Sequence, residues 1–458
     1  MARRNRGGVL GTFAGVVGAG ALAAACTDDG RQESVESSTE AVRGNDGPGA
    51  DRERGIGHGP GHSRGGSVGK GGKAGAGGSP GTGGVGQGGT SGTSGSGGSG
   101  GTGGSGGTGG ASCTSPRVAC GAGCVELDSD EANCGACDYA CVHGRECVAG
   151  RCTPAWLPLE TAGAPDARTR HAAGFVAGKY VVLGGTLSGP GAVSSAAAYD
   201  VSADAWAPLA SLGSVRCAHQ AVSTGTEVLT FGGLTDCSNG TTIGPGLERF
   251  VPDGGAGVWV TVNVDGVTGP RYNFAGTWTG SEFFVYGGGN NTLPTLATGS
   301  GFSPFSMTWN DIACSLPNCD RGVGTLFRDG SVVRFFGGAF NPSYPTPPSS
   351  VADATSGLAF DLSSRKWSTW PHPTGTAERI AMRFADDGRR LYFLKAPNVV
   401  TIYDRSTSSW VADDTAPMPA GFCVEGAAAW TGSEMIAWSG ACGGAPVNVG
   451  GRYQPKAP

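Results

Sequence analysis

From residue 155 onward, short apolar runs recur at a spacing of about 50 residues, the length of one unit in a repeat array. They read Tyr180-Val181-Val182-Leu183-Gly184-Gly185, Val228-Leu229-Thr230-Phe231-Gly232-Gly233, Phe283-Phe284-Val285-Tyr286-Gly287-Gly288 and Val332-Val333-Arg334-Phe335-Phe336-Gly337-Gly338. A fifth run, Leu391-Tyr392-Phe393-Leu394-Lys395-Ala396, lacks both glycines, and a sixth, Met435-Ile436-Ala437-Trp438-Ser439-Gly440, keeps one. Runs this short, rich in aromatic and β-branched residues and bounded by glycine, predict strands. A second pattern follows five of them. An aromatic precedes a Trp by seven positions at Tyr199 and Trp206, Phe302 and Trp309, Phe360 and Trp367, and Tyr403 and Trp410; Phe250 and Trp259 show the pair with a two-residue insertion. This spacing predicts a third strand, a turn and an outer fourth strand.

The double glycine together with the spaced aromatic/Trp pair resembles the kelch repeat. The resemblance covers roughly 300 residues in six units and implies an all-β fold, a six-bladed β-propeller. Glycine allows close approach of strands, and the large aromatics fill the wedge between blades. The sixth unit ends at Tyr453 with no Trp after it, whereas Trp156 stands unclaimed in Ala155-Trp156-Leu157-Pro158-Leu159. The N-terminal strand is therefore expected to complete the last blade and close the ring.

Upstream the pattern changes. Residues 113–152 form a small Cys-rich segment, and residues 26–112 hold almost no apolar bulk, passing into Gly/Ser/Thr repeats. Such a tract cannot bury enough surface to offset its ordering entropy, so a disordered tether is expected. About 86 residues of it would have an r.m.s. reach of roughly 50 Å. Residues 1–25 read as an export signal: basic through Arg6, apolar and uncharged from Val9 to Ala25, small residues at Ala23-Ala24-Ala25. Cys26 follows directly. This resembles a bacterial lipoprotein signal, although Ala23 stands where that family usually has Leu. The resemblance implies lipidation at Cys26, and so a membrane anchor and a place at the cell surface or outer membrane. Arg3-Arg4 lacks the rest of a twin-arginine motif. The propeller occupies 153–458.

Composition adds the redox picture. The chain has 458 residues, 87 of them Gly, and 15 Cys. Setting Cys26 aside leaves an even set, which in an exported chain reads as disulfides. Cys113, Cys120, Cys124, Cys134, Cys137, Cys141, Cys147 and Cys152 would cross-link a segment too small to fold on apolar burial alone, in a pairing that spacing does not specify. The run from Asp130 through Cys137, with Cys141, resembles Cys-rich repeats of myxobacterial surface proteins. Zinc at Cys134-x-x-Cys137 and calcium at Asp128, Asp130 and Glu131 are the weaker readings. In the propeller, matching places in blades two and six predict Cys217–Cys237 and Cys423–Cys442, and Cys314 and Cys319 should close a small loop.

All three propeller bridges are expected on one face, with the long loops Leu234–Gly246, Gly289–Thr298 and Ala339–Gly357. Long loops on a rigid scaffold are where function concentrates. Arg168, Arg216, Arg271, Arg321 and Arg379 share one aligned place before the first strands, so a guanidinium ring at the channel mouth, able to hold a carboxylate, sulfate or acidic sugar, is the binding expectation. The bland alternative has them bonding loop carbonyls. His171 and His219 begin neighbouring first strands without an obvious third ligand, so a structural role is expected and no metal or cofactor. A copper site like that of galactose oxidase would need two Tyr, two His and a Cys–Tyr cross-link, whereas the propeller cysteines read as paired and the only other His of the propeller is His372, in a Pro-rich turn. With a net charge of −5, no nucleic-acid partner is expected. The reading is a surface-anchored binding protein that contacts a protein or an acidic glycan. The alternatives are a polysaccharide hydrolase or lyase at the channel mouth, and a passive envelope protein. Glu425 and Asp320 are the acids that fall near that mouth, and paired carboxylates there would favour an enzyme.

Overall fold

The structure, a computed structural model, describes residues 113–458 except 190, 238–242, 245, 264–268, 342, 344–351, 355, 372–383, 396–398, 412–413, 423–425, 443–444 and 458. The expected signal, Cys26 and tether lie outside the described residues, as do Arg379, Cys423 and Glu425.

Six four-stranded antiparallel sheets form the blades. Blade one runs Ala172–Val176, Lys179–Leu183, Ala196–Asp200 and Ala205–Leu209 from channel to rim. The first strands of the other blades are Gln220–Ser223, Ala275–Trp278, Thr325–Asp329, Phe384–Asp386 and Ala427–Trp430. Blade six is closed by the strand Trp156–Pro158, which pairs with Gly450–Tyr453 in the register Tyr453↔Trp156, Arg452↔Leu157. The ring is thus joined through hydrogen bonds between the two ends of the domain.

The aromatic/Trp spacing is a cross-strand pair in every blade. Tyr199↔Trp206, Phe250↔Trp259, Phe302↔Trp309, Phe360↔Trp367, Tyr403↔Trp410 and Tyr453↔Trp156 lie opposite each other. Their ring centroids are 5.0–5.4 Å apart, the tilted contact that aromatic quadrupoles favour. The outer Trp then wedges against the preceding blade: Trp206 against Trp438 at 5.3 Å, Trp309 against Phe231 at 5.1 Å, Trp367 against Tyr286 at 4.4 Å. One residue so serves both a blade and its boundary.

The Cys-rich segment is held by four bridges, Cys113–Cys124, Cys120–Cys137, Cys134–Cys147 and Cys141–Cys152. The sulfurs of Cys134, Cys141 and Cys152 cluster, but all three are committed to disulfides rather than present as thiolate ligands. This module packs on blade six. Arg145 is buried and donates to Pro154 O (3.0 Å), Val142 O (3.1 Å) and Arg452 O (2.9 Å), while its Nη1 meets the buried Glu434 carboxylate at 3.1 Å. Burial pulls this guanidinium below its ordinary value and Glu434 pulls it back. His143 meets the other oxygen of Glu434 at 3.0 Å. Gln454 bridges Ala140 O and Val142 N, and Arg151 pairs with Asp414.

Candidate functional site

Four of the aligned arginines are placed by the structure, and none offers its guanidinium to a ligand. Arg168, Arg216, Arg271 and Arg321 are buried. Arg168 Nη1 donates to Gly184 O (3.0 Å) and Ser195 O (3.1 Å), and Arg271 Nη1 to Gly287 O (2.9 Å) and Thr298 O (2.6 Å). Arg216 reaches Gly246 O (3.2 Å) and pairs with the Glu248 carboxylate. Arg321 donates to the carbonyls of Asn318, Asp320 and Ser356. Their own carbonyls accept from the preceding blade: Gly185 N to Arg216 O (2.8 Å), Gly233 N to Arg271 O (2.8 Å), Gly288 N to Arg321 O (2.7 Å), and Gly440 N to Arg168 O (3.1 Å). Each Arg therefore ties its own blade with its side chain and the neighbouring blade with its backbone. This corrects the expected anion-reading ring. The glycine corners leave buried carbonyls that must be satisfied, and the guanidinium donors go to them. Burial lowers Arg168 to about 10, still protonated at neutral pH.

The glycine pair is required by the same contact. Gly185 has φ +94°, and a Cβ there would lie 2.6 Å from Thr169 O; at Gly184 a Cβ would lie 2.6 Å from Arg216 O. His171 and His219 fill the wedge under these corners. Gly184 sits against the His219 ring, and Gly232 sits in the same way against Phe274, which holds the equivalent place in blade three. His171 lies 5.8 Å from the Trp438 ring and accepts from Ala427 N. Burial pushes the His171 imidazole down to about 3 and that of His219 well below its ordinary value, so both are neutral packing groups.

The loop face carries Cys217–Cys237 and Cys314–Cys319. Cys442 lies in the short strand Ala441–Cys442, but the expected partner Cys423 is outside the described residues. Asp320 is buried here and accepts from Thr295 Oγ1 and Asn341 N, both at 2.6 Å. Both bonds fall on Oδ2, so that oxygen holds two of the long loops together. A shallow cleft of about 220 Å³ lies beside Cys237, lined by Thr169, Arg170, Thr186, Ser188 and Pro446.

The larger cavity is the channel, about 570 Å³, within the range of roughly 300–1,000 Å³ typical of ligand sites. Ala172, Ala173, Gly174, Ala221, Gly276 and Ala427–Ala429 leave its bore open. At the end away from the arginines, each blade contributes one residue to the lining, where its first strand meets its second: Phe175, Ser223, Trp278, Arg328, Asp386 and Trp430. All six hold the same register, as in Phe175↔Tyr180, Trp278↔Phe283, Arg328↔Val333 and Trp430↔Met435. Blade order sets Trp278 and Trp430 on opposite sides of the channel. Trp430 is held by stacking on Tyr392 (5.4 Å, 11°). Asp386 is ion-paired with Arg405 and accepts from Gly388 N. Desolvation pushes its carboxyl up and Arg405 pulls it down. Sequence reasoning missed this ring, although the six positions each stand five residues before their partners on the second strands.

The fold is a six-bladed β-propeller carrying a disulfide-rich module, an architecture consistent with a surface interaction module. Residues 104–155, a stretch that takes in the module, match the stigma-specific STIG1-like protein family. No curated protein matches the chain.

Proposed function

We propose that this chain is a surface-tethered recognition protein, its propeller of the kelch type, anchored through a lipid on Cys26 and contacting a protein partner through the disulfide-stiffened loop face. The observation that carries this reading is that face itself: two disulfides and the buried Asp320 brace long loops on a rigid ring. The acidic-glycan form of the proposal loses its support on that face, because the arginines it relied on are committed to carbonyls. A hydrolase or lyase would need two carboxylates in working reach of a substrate. Among the described residues the channel lining offers one, Asp386, and it is held by Arg405.

The test is cross-linking of the full, oxidised chain on intact cells, followed by mapping of the linked residues. Cross-links to one partner that cluster between residues 234–246, 289–298 and 339–357 are expected. Links spread evenly over the rim would reject the loop face. In parallel, Cys26→Ser should release the chain from the membrane fraction; retention would reject the anchor.

A further inference from the structure

We propose that the six-residue ring at the other end of the channel is a second binding site, one for a short uronate-containing oligosaccharide. The argument starts from position. Phe175, Ser223, Trp278, Arg328, Asp386 and Trp430 come from six different blades and meet at one channel end only because the ring closes. Their chemistry then sorts by angle around that ring. Trp278 and Trp430 belong to opposite blades, so their indoles flank the bore from two sides. Phe175 lies on the blade next to that of Trp430, and Ser223 on the blade between those of Phe175 and Trp278. An apolar C–H face of a pyranose fits against such aromatic surfaces, while its hydroxyls need the polar groups between them.

Arg328 sets the charge. It is exposed; its Nε donates to Gly330 O at 2.8 Å, and its terminal nitrogens have no partner among the described residues. Arg405 and Asp386 neutralise each other beside it. Among the described residues the lining therefore carries one cation in excess, suited to a carboxylate in a charge-assisted bond. Deeper in the bore, Gln220 is about nine-tenths buried. Its Nε2 donates to Phe274 O at 3.0 Å, and its Oε1 accepts from none of the described residues, which leaves it for a sugar hydroxyl. Open bore, paired indoles, a guanidinium whose terminal nitrogens have no partner among the described residues, and a buried amide acceptor together match an acidic saccharide.

The site is remote from the loop face, so the two proposals fail separately. The experiment titrates the full, oxidised chain with trisaccharides of galacturonate, glucuronate and mannuronate, and with their methyl esters. Tryptophan fluorescence and calorimetry read the binding. At least one acid form should bind saturably, and Trp278→Ala or Trp430→Ala should weaken it by tenfold or more, with Trp278→Phe restoring most of the loss. Arg328→Gln should weaken the acid form several-fold and leave its methyl ester unchanged. Urea midpoints matched to the parent chain keep these variants interpretable. Absence of binding by all three acids up to about 10 mM, or binding untouched by the Trp variants, would overturn the proposal.

Discussion

At the residue scale, buried charges and imidazoles hold the blades together. Arg216 and Glu248 form a buried pair, and Glu248 also accepts from Gly213 N at 2.8 Å. Arg216→Ala would leave a carboxylate buried without its cation, at a cost of about 3–5 kcal/mol, read as a lower urea midpoint. Arg328→Gln, exposed at the other end, should leave that midpoint within experimental error. The histidines make stability depend on pH. Each has a folded pKa below the unfolded value of about 6.5, so below that pH the unfolded chain takes up protons that the folded chain refuses. Their stabilisation is complete above pH 6.5 and is lost as pH falls toward about 3 for His171. At pH 5 the loss is about 2 kcal/mol for His171, and His219 adds to it in the same direction. His171→Phe/His219→Phe copies the residue that blade three already carries at Phe274, and should flatten the midpoint between pH 7 and 5. An unchanged slope would assign the acid sensitivity to other groups.

At the level of strands, most of the fold was legible. The glycine corners, the aromatic/Trp pairs and the closing strand leave marks at fixed spacing because steric approach and cross-strand packing demand particular residues there. The channel end left no such mark. Phe175, Ser223, Trp278, Arg328, Asp386 and Trp430 share a register but no side-chain type, so they become a group only when six blades meet. The arginines failed in the opposite way. Their alignment was plain, but alignment does not say which way a side chain points, and the unsatisfied carbonyls at the glycine corners decided it. The closing strand gives a direct test. Trp156 is buried between Tyr453, at 5.1 Å, and Phe422, at 5.6 Å. Trp156→Ala should cost about 3–5 kcal/mol and speed amide exchange in Gly450–Tyr453 ahead of the other blades. Uniform exchange across all six blades would mean that ring closure does not limit local opening.

For the whole molecule, the cystine module is placed to guard that closure. Arg145 donates to Pro154 O, just before the closing strand, and to Arg452 O, on the strand it pairs with. Asp414 accepts from both Arg151 of the module and Tyr453 of the closing pair, at 2.6 and 2.5 Å. The module is too small to hold its shape without its bridges, so its oxidation state should reach the ring through these contacts. Cys141–Cys152 flanks the segment bearing Val142, His143 and Arg145, and removing it leaves the propeller bridges intact. Cys141→Ser/Cys152→Ser should therefore raise amide exchange at Trp156–Leu159 and Gly450–Tyr453 by tenfold or more, while blades two to four keep parental rates. Glu434→Ala should reproduce that pattern with every disulfide in place, because it removes the anion that Arg145 and His143 share. If both variants left the closing strands protected, the module would be a passenger on blade six. If only the cysteine variant exposed them, the coupling would run through chain tension at Cys152–Pro154 rather than through the buried ion pairs.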